Sequence, residues 1–241
     1  MAIAIRNANQ MRTLIHTLAS DFVDANIAFR LNRDLIDASE QYNQELHQSW
    51  TFWTLTVQAH LDAAIFHICR LFDQKPNVLG LRGFLETVRA NLHLFTPERF
   101  RERLADRQGA EELRANPPLL VREALDRDIA YAKRDSNERV DRLIDVRHNY
   151  YVHRNAARVL GAVLVSDEDL LTIEDIGELL RGGMEIVNRY SNVFNANTYS
   201  VQMVGRDDYE YVLEAIREKL QQYRAQIAEQ CRAAGVEPPE V

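Results

Sequence analysis

The stretch from Trp50 to Gln74, WTFWTLTVQAHLDAAIFHICRLFDQ, decides the fold class. Trp50, Trp53, Val57, Leu61, Ile65, Ile68 and Phe72 recur at steps of three and four, a spacing that lines them along one face of an α-helix. The Trp, Phe and His residues along its length exceed what a helix with one solvated face carries, so this segment is expected near the centre of a bundle. Upstream, Leu14, Leu18, Phe22 and Ile27 also recur at helical spacing, at steps of four, four and five. Residues 8–74 therefore read as two long helices with a break near Asp37 to Ser39, and Lys75-Pro76-Asn77 ends the second.

The rest of the chain follows the same pattern. Gly80 and Gly83 weaken the start of a short helix expected over Phe84 to Leu94. Thr96-Pro97-Glu98 sets a capping hydroxyl before a proline at the first helical position, which predicts a helix over Pro97 to Asp106. Residues 76–118 thus form an inserted helical arm, closed by Asn116-Pro117-Pro118, and helix resumes over Leu119 to Lys133. Another helix is expected from Glu138 to about Arg154. Ala156 to Ser166 suits a short buried strand or a packed connector equally. Thr172-Ile-Glu-Asp175 has the form of a capping box with Asp in place of Glu and opens a helix to about Phe194, despite Gly182-Gly183. The last helix spans about 208–234, with Tyr209, Val212, Ile216, Leu220, Tyr223 and Ile227 as one apolar stripe. Nine glycines and six prolines in 241 residues leave little material for the turns of a many-stranded sheet. The expected architecture is all-α, one domain over residues 1–241 with the arm as an insertion.

Composition narrows the function classes. A formal charge of -7 argues against an extended basic coat for nucleic acid, though not against a local site. Lysine occurs only at 75, 133 and 219, so the basic residues are overwhelmingly arginine, which suits bidentate phosphate contacts and also follows from genomic base composition. No run approaches a membrane span and the N-terminal residues lack an apolar secretion core, so a cytoplasmic protein without membrane contact is expected. Cys69 and Cys231 show no paired spacing for zinc or a disulfide framework. Gly-rich phosphate loops, H-E-x-x-H and G-x-S-x-G are absent from the sequence.

Histidine carries what remains. His16, His47, His60, His67 and His93 are scattered singly; His60, His67 and Asp73 on one helix lack the further ligands a metal site needs, so no metal or cofactor is expected. Arg147-His148-Asn149-Tyr150-Tyr151-Val152-His153-Arg154 is a dense cluster of imidazoles, guanidiniums, phenols and a carboxamide. At roughly 100° per residue Arg147 and His153 point about 120° apart, a gap the arginine stem can close to address one phosphate. Arg147 also shares a stripe with Val140, Ile144 and Tyr151, so its charge is expected at a packed interface, where it needs an anionic partner. Asp145 or Asp62 is a candidate for that partner, and His153 as a simple helix C-cap is the plainer alternative.

Arg147-His148-x-x-x-x-His153 matches the R-x(4 to 6)-H motif of the HEPN superfamily. With the CRLFD ending of the earlier helix, RHNYYVHRN and the later LTIEDIGELL, about residues 10–195 resemble the AbiU-type abortive-infection branch. The resemblance implies a HEPN-like helical bundle that forms a homodimer, with the two R-x-H helices facing across a cleft where RNA is cut without metal. By that resemblance Arg147 and His153 are the catalytic pair and His148 the polar second position. Asn149, from its spacing alone, is placed to orient the His153 ring, and Tyr151 and Arg154 join the supporting or RNA-binding set. Asn155 stands where the branch with nucleotidyltransferase antitoxins often carries tyrosine, so regulation at that position is not expected. Three readings follow: an endoribonuclease of phage defence or a toxin with an antitoxin partner, a noncatalytic HEPN module that binds a nucleotide or a protein, and a helical scaffold displaying the arm.

Overall fold

A computed structural model of the chain describes residues 2–148, 170–205 and 207–237. Among them every regular element is helical: α1 (Ala8–Gln41), α2 (Asn43–His47), α3 (Trp50–Leu71), α4 (Leu81–Ala90), α5 (Pro97–Arg103), α6 (Glu111–Ala115), α7 (Arg122–Tyr131), α8 (Glu138–Val146), α9 (Ile173–Asn195) and α10 (Asp208–Ala233), with single 3₁₀ turns at Leu92–Phe95 and Arg134–Ser136. The all-α class read from the sequence is the class observed. The segment 156–166 lies outside the described residues. No helix among the described residues is long and apolar enough to cross a membrane.

The contacts gather into two compact units, Met1–Phe29 with Asp62–Val201, and Arg30–Leu61 with Gln202–Val241. In the first, Met11, Ile15, Leu18, Phe22 and Ala25 line the buried face of α1, and Ala64, Ile65, Ile68, Leu71 and Phe72 that of α3 and the residue after it. Phe22 meets Phe72 edge-on with centroids 6.3 Å apart. Gly182 and Gly183, which the sequence presents as weak points of α9, are contact points instead. A Cβ on Gly183 would strike the Phe22 ring, and one on Gly182 would strike the Tyr131 hydroxyl. The backbone freedom that glycine costs a helix is offset by the rings it admits.

The arm is stitched into this unit. Leu81, Phe84, Leu85 and Val88 of α4 are fully buried, and Phe84 packs edge-on against Tyr190 of α9 at 6.0 Å. Thr96 caps α5 by accepting the Arg99 N–H, as its spacing before Pro97 predicts. Arg103 and Arg107 then reach the far end of α9, donating to the carbonyls of Phe194 at 2.6 Å and Asn195 at 3.1 Å, the groups a helix C-terminus leaves unpaired. The Arg103 guanidinium lies 4.0 Å over the Phe194 ring. On α7 the buried Asp128 accepts from Arg189 and from the Tyr190 hydroxyl, tying that helix to α9.

The second unit has a smaller core of Leu35, Ala38, Tyr42, Leu46, Trp53 and Leu213. It corrects the expected break in α1: the helix passes through Asp37–Ser39 without interruption because Leu35 and Ala38 are held in this core, and it ends before Tyr42, whose backbone is not helical. The Tyr42 ring is buried, its hydroxyl donates to Glu214 at 2.8 Å, and Arg217 lies 4.5 Å over its face. Arg217 also donates to the buried Glu45 at 2.7 Å; burial pushes that carboxyl up, but the Arg217 bond and charge, its own backbone N–H and the Arg224 charge together hold it below the ordinary range.

Candidate functional site

Helix α8 carries Arg147 at its C-terminal end and is fixed along its length. Asn137 caps it by accepting the Arg139 N–H at 3.1 Å, while its amide donates to the Tyr131 carbonyl at 2.8 Å. Val140, Leu143 and Ile144 form its buried face. On the polar side Arg134 bonds Asp141 and, at 3.0 Å, Asp145. Arg139 and Arg142 both donate to Asp175, at 3.1 and 3.0 Å. Asp175 is at the same time the acid of the α9 capping box, bonded reciprocally with Thr172 as its sequence predicts. Burial opposes ionisation of this carboxyl, yet the Thr172 bonds and the Arg142 charge hold it below the ordinary range.

The α-helical backbone of α8 stops at Val146, and Arg147 and His148 lie in a π turn. Such turns are uncommon and recur at functional sites. Arg147 is mostly enclosed, with 20% of its side chain exposed, and its guanidinium pairs with Asp73 at 2.9 Å. This corrects the expectation of Asp145 or Asp62 as the partner: Asp145 serves Arg134, and the anion beneath Arg147 comes from the end of the CRLFD segment. His148 is exposed. Asn149, Tyr151, His153 and Arg154 lie outside the described residues.

Asp73 is itself held in place. It follows α3 in a tight turn, only 9% of its side chain is exposed, and the Lys75 N–H donates to its Oδ1 at 2.8 Å while Arg147 takes Oδ2. Gln74 clamps the turn by donating to the carbonyls of Phe72 at 2.8 Å and Ala132 at 3.0 Å, and by accepting from Arg82 at 3.1 Å. Gly80 closes it from outside: a Cβ there would lie 3.0 to 3.2 Å from the carbonyl oxygens of Leu71, Asp73 and Arg70. Cys69, one turn earlier on α3, is buried beside the pair. Burial pushes its thiol up to about 12, with Arg147 pulling the other way and Asp73 adding to the rise.

No group of three His, Cys, Asp or Glu side chains among the described residues is arranged to hold a metal ion. The residue that sequence reasoning missed as a site member is Asp73. Its only signal was its place in the segment that carries the family resemblance.

A model of the HEPN_AbiU2 family, described as AbiU2, matches residues 11–215. The chain belongs to that family. Most of its length is covered, and the match takes in α3, the Asp73 turn, α8 and the whole Arg147 to His153 interval. No curated protein and no solved structure matches it. As an AbiU2-type HEPN protein the chain is related to abortive infection.

Proposed function

We propose that this AbiU2-type protein is an endoribonuclease of phage defence, or the toxin of a toxin-antitoxin pair, acting as a homodimer in the cytoplasm. The observation that carries the reading is the Arg147 guanidinium, held at a π turn by a buried carboxylate, at the position where the HEPN motif has its arginine. A guanidinium fixed this way can serve the non-bridging oxygens of a phosphodiester, where negative charge builds as the phosphorane forms.

In the proposed reaction the ribose 2'-oxygen attacks the adjacent phosphorus. His153 accepts the 2'-proton, the O2'–P bond forms, the P–O5' bond breaks, and the departing 5'-oxygen takes a proton from an imidazolium, that of the partner copy if the two motif helices face each other. Imidazole titrates near pH 6.5, so both protonation states are available near neutrality. The products are a 2',3'-cyclic phosphate and a 5'-hydroxyl. His148, Asn149, Tyr151 and Arg154 take the supporting or RNA-binding roles.

The test uses purified protein and single-stranded RNA. Cleavage is expected to survive chelator, to leave a 2',3'-cyclic end, and to stop with a 2'-deoxy nucleotide at the cut site. Arg147→Ala and His153→Ala each abolish it while sedimentation still reports a dimer. If the double variant cuts as fast as the parent, the noncatalytic binding module takes the place of the nuclease.

A further inference from the structure

We infer that Asp73 is the positioning residue of Arg147: it fixes the plane of the guanidinium so that the remaining N–H groups are presented to an RNA phosphodiester. The inference rests on the nuclease reading for its substrate and on the geometry for the rest. An arginine on an α-helix has four rotatable side-chain bonds, and left alone its planar fork samples many directions. Here Nη1 of Arg147 is ion-paired with Asp73 Oδ2 at 2.9 Å, and the other oxygen of that carboxylate is held by the Lys75 N–H at 2.8 Å. The turn behind it is fastened to Ala132 and Arg82 through Gln74 and is closed by Gly80. The orientation is thus set by backbone, one turn beyond the side chain that uses it.

Asp73 also works against simple attraction. It neutralises part of the charge that would draw a phosphate, in a place where both groups have lost most of their water. A pocket built for tight ground-state binding of RNA would leave Arg147 unpaired. This one sacrifices charge for direction, which assists the step in which the phosphate geometry changes.

The distinguishing signature is a split between kcat and KM. Asp73→Asn keeps the size of the side chain and removes its charge. It is expected to lower kcat roughly a hundredfold, the scale on which misplacement of a reacting group acts, while KM for a mixed-sequence single-stranded RNA stays level or falls because a negative charge has gone. Asp73→Glu, which keeps the carboxylate, should recover part of the loss. A rise in KM with kcat unchanged, or no recovery of kcat in Asp73→Glu, overturns the inference.

A second readout does not need turnover. In ¹⁵N-labelled protein the Arg147 Nη1 protons, which face Asp73, should be slow to exchange in the parent and fast in Asp73→Asn, with circular dichroism unchanged. An Arg147 signal that exchanges equally fast in both removes Asp73 from the role even if RNA is cut. Should the parent leave RNA intact, the nuclease reading fails, and the exchange rates together with the RNA affinities of the two proteins still decide whether Asp73 orients Arg147.

Discussion

Helices α9 and α10 are close in length and both read as amphipathic in sequence, yet they are used differently. α9 buries residues along all of its turns, from Asp175 and Ile176 to Phe194 and Asn195. α10 fully buries Leu213 alone. In the second unit the covered face of α10 is Tyr209, Leu213 and Ile216, confined to its first turns. This corrects the stripe expected from the sequence: Val212 is exposed, and Tyr223 and Ile227 remain 53% and 45% exposed. Periodicity shows which side of a helix is apolar. What covers that side depends on which other segments are near, and α9 has rings on Phe22, Phe84 and Phe95 against it whereas α10 has one short core.

The sharpest way to break the contrast is a pair of truncations. Phe194→Ala, which empties a fully buried site also touched by Phe95 and Arg103, should cost about 3–5 kcal/mol in urea unfolding. A loss below 1 kcal/mol would mean that α9 is not the anchor of its unit. Next in size, Gly183→Ala should cost roughly 1–3 kcal/mol because the added methyl meets the Phe22 ring. The combination with Phe22→Leu should recover part of that loss, which a purely helical effect of alanine would not show. Thr172→Ala removes the capping hydroxyl of α9 and should cost about 1 kcal/mol.

A pH titration sharpens the same comparison. Burial against α9 pushes the Tyr131 phenol up to about 12 from an ordinary 10. A folded-state value above the unfolded one means that its contribution is fully present below pH 10 and is lost as pH rises toward 12. Tyr131→Phe should flatten that part of the stability profile. The smallest effect belongs to α10: Ile227→Ala should change stability by less than about 0.5 kcal/mol. A larger loss would show that its exposed face is covered in solution.

What was legible in the sequence was local. The caps at Thr96 and Thr172 are found correctly because the hydroxyl and the N–H it serves lie three residues apart, so spacing alone encodes the bond. The break in α1 was placed too early because Asp37 and Ser39 resemble a stop, whereas the packing of Leu35 and Ala38 keeps the helix going. Glycines 182 and 183 looked like defects because the rings they admit come from distant segments. At the candidate site the sequence marks Arg147 as a charge that needs an anionic partner, and it does not say which acid that is. Asp73 is one of several acids that could have served Arg147, and only the folded path of α3 and α8 selects it. Asn149, Tyr151, His153 and Arg154 remain assigned by sequence.

The enclosure of Cys69 has a practical consequence for kinetics. A thiol that is buried, and whose pKa is raised far above neutrality, offers almost no thiolate to an alkylating reagent while α3 and α8 stay together. Cys231, partly exposed on α10, offers a second thiol under the same conditions. A single pulse of reagent therefore carries two clocks: the mark on Cys231 gives the dose, and the mark on Cys69 counts how often the seam around Arg147 and Asp73 comes open.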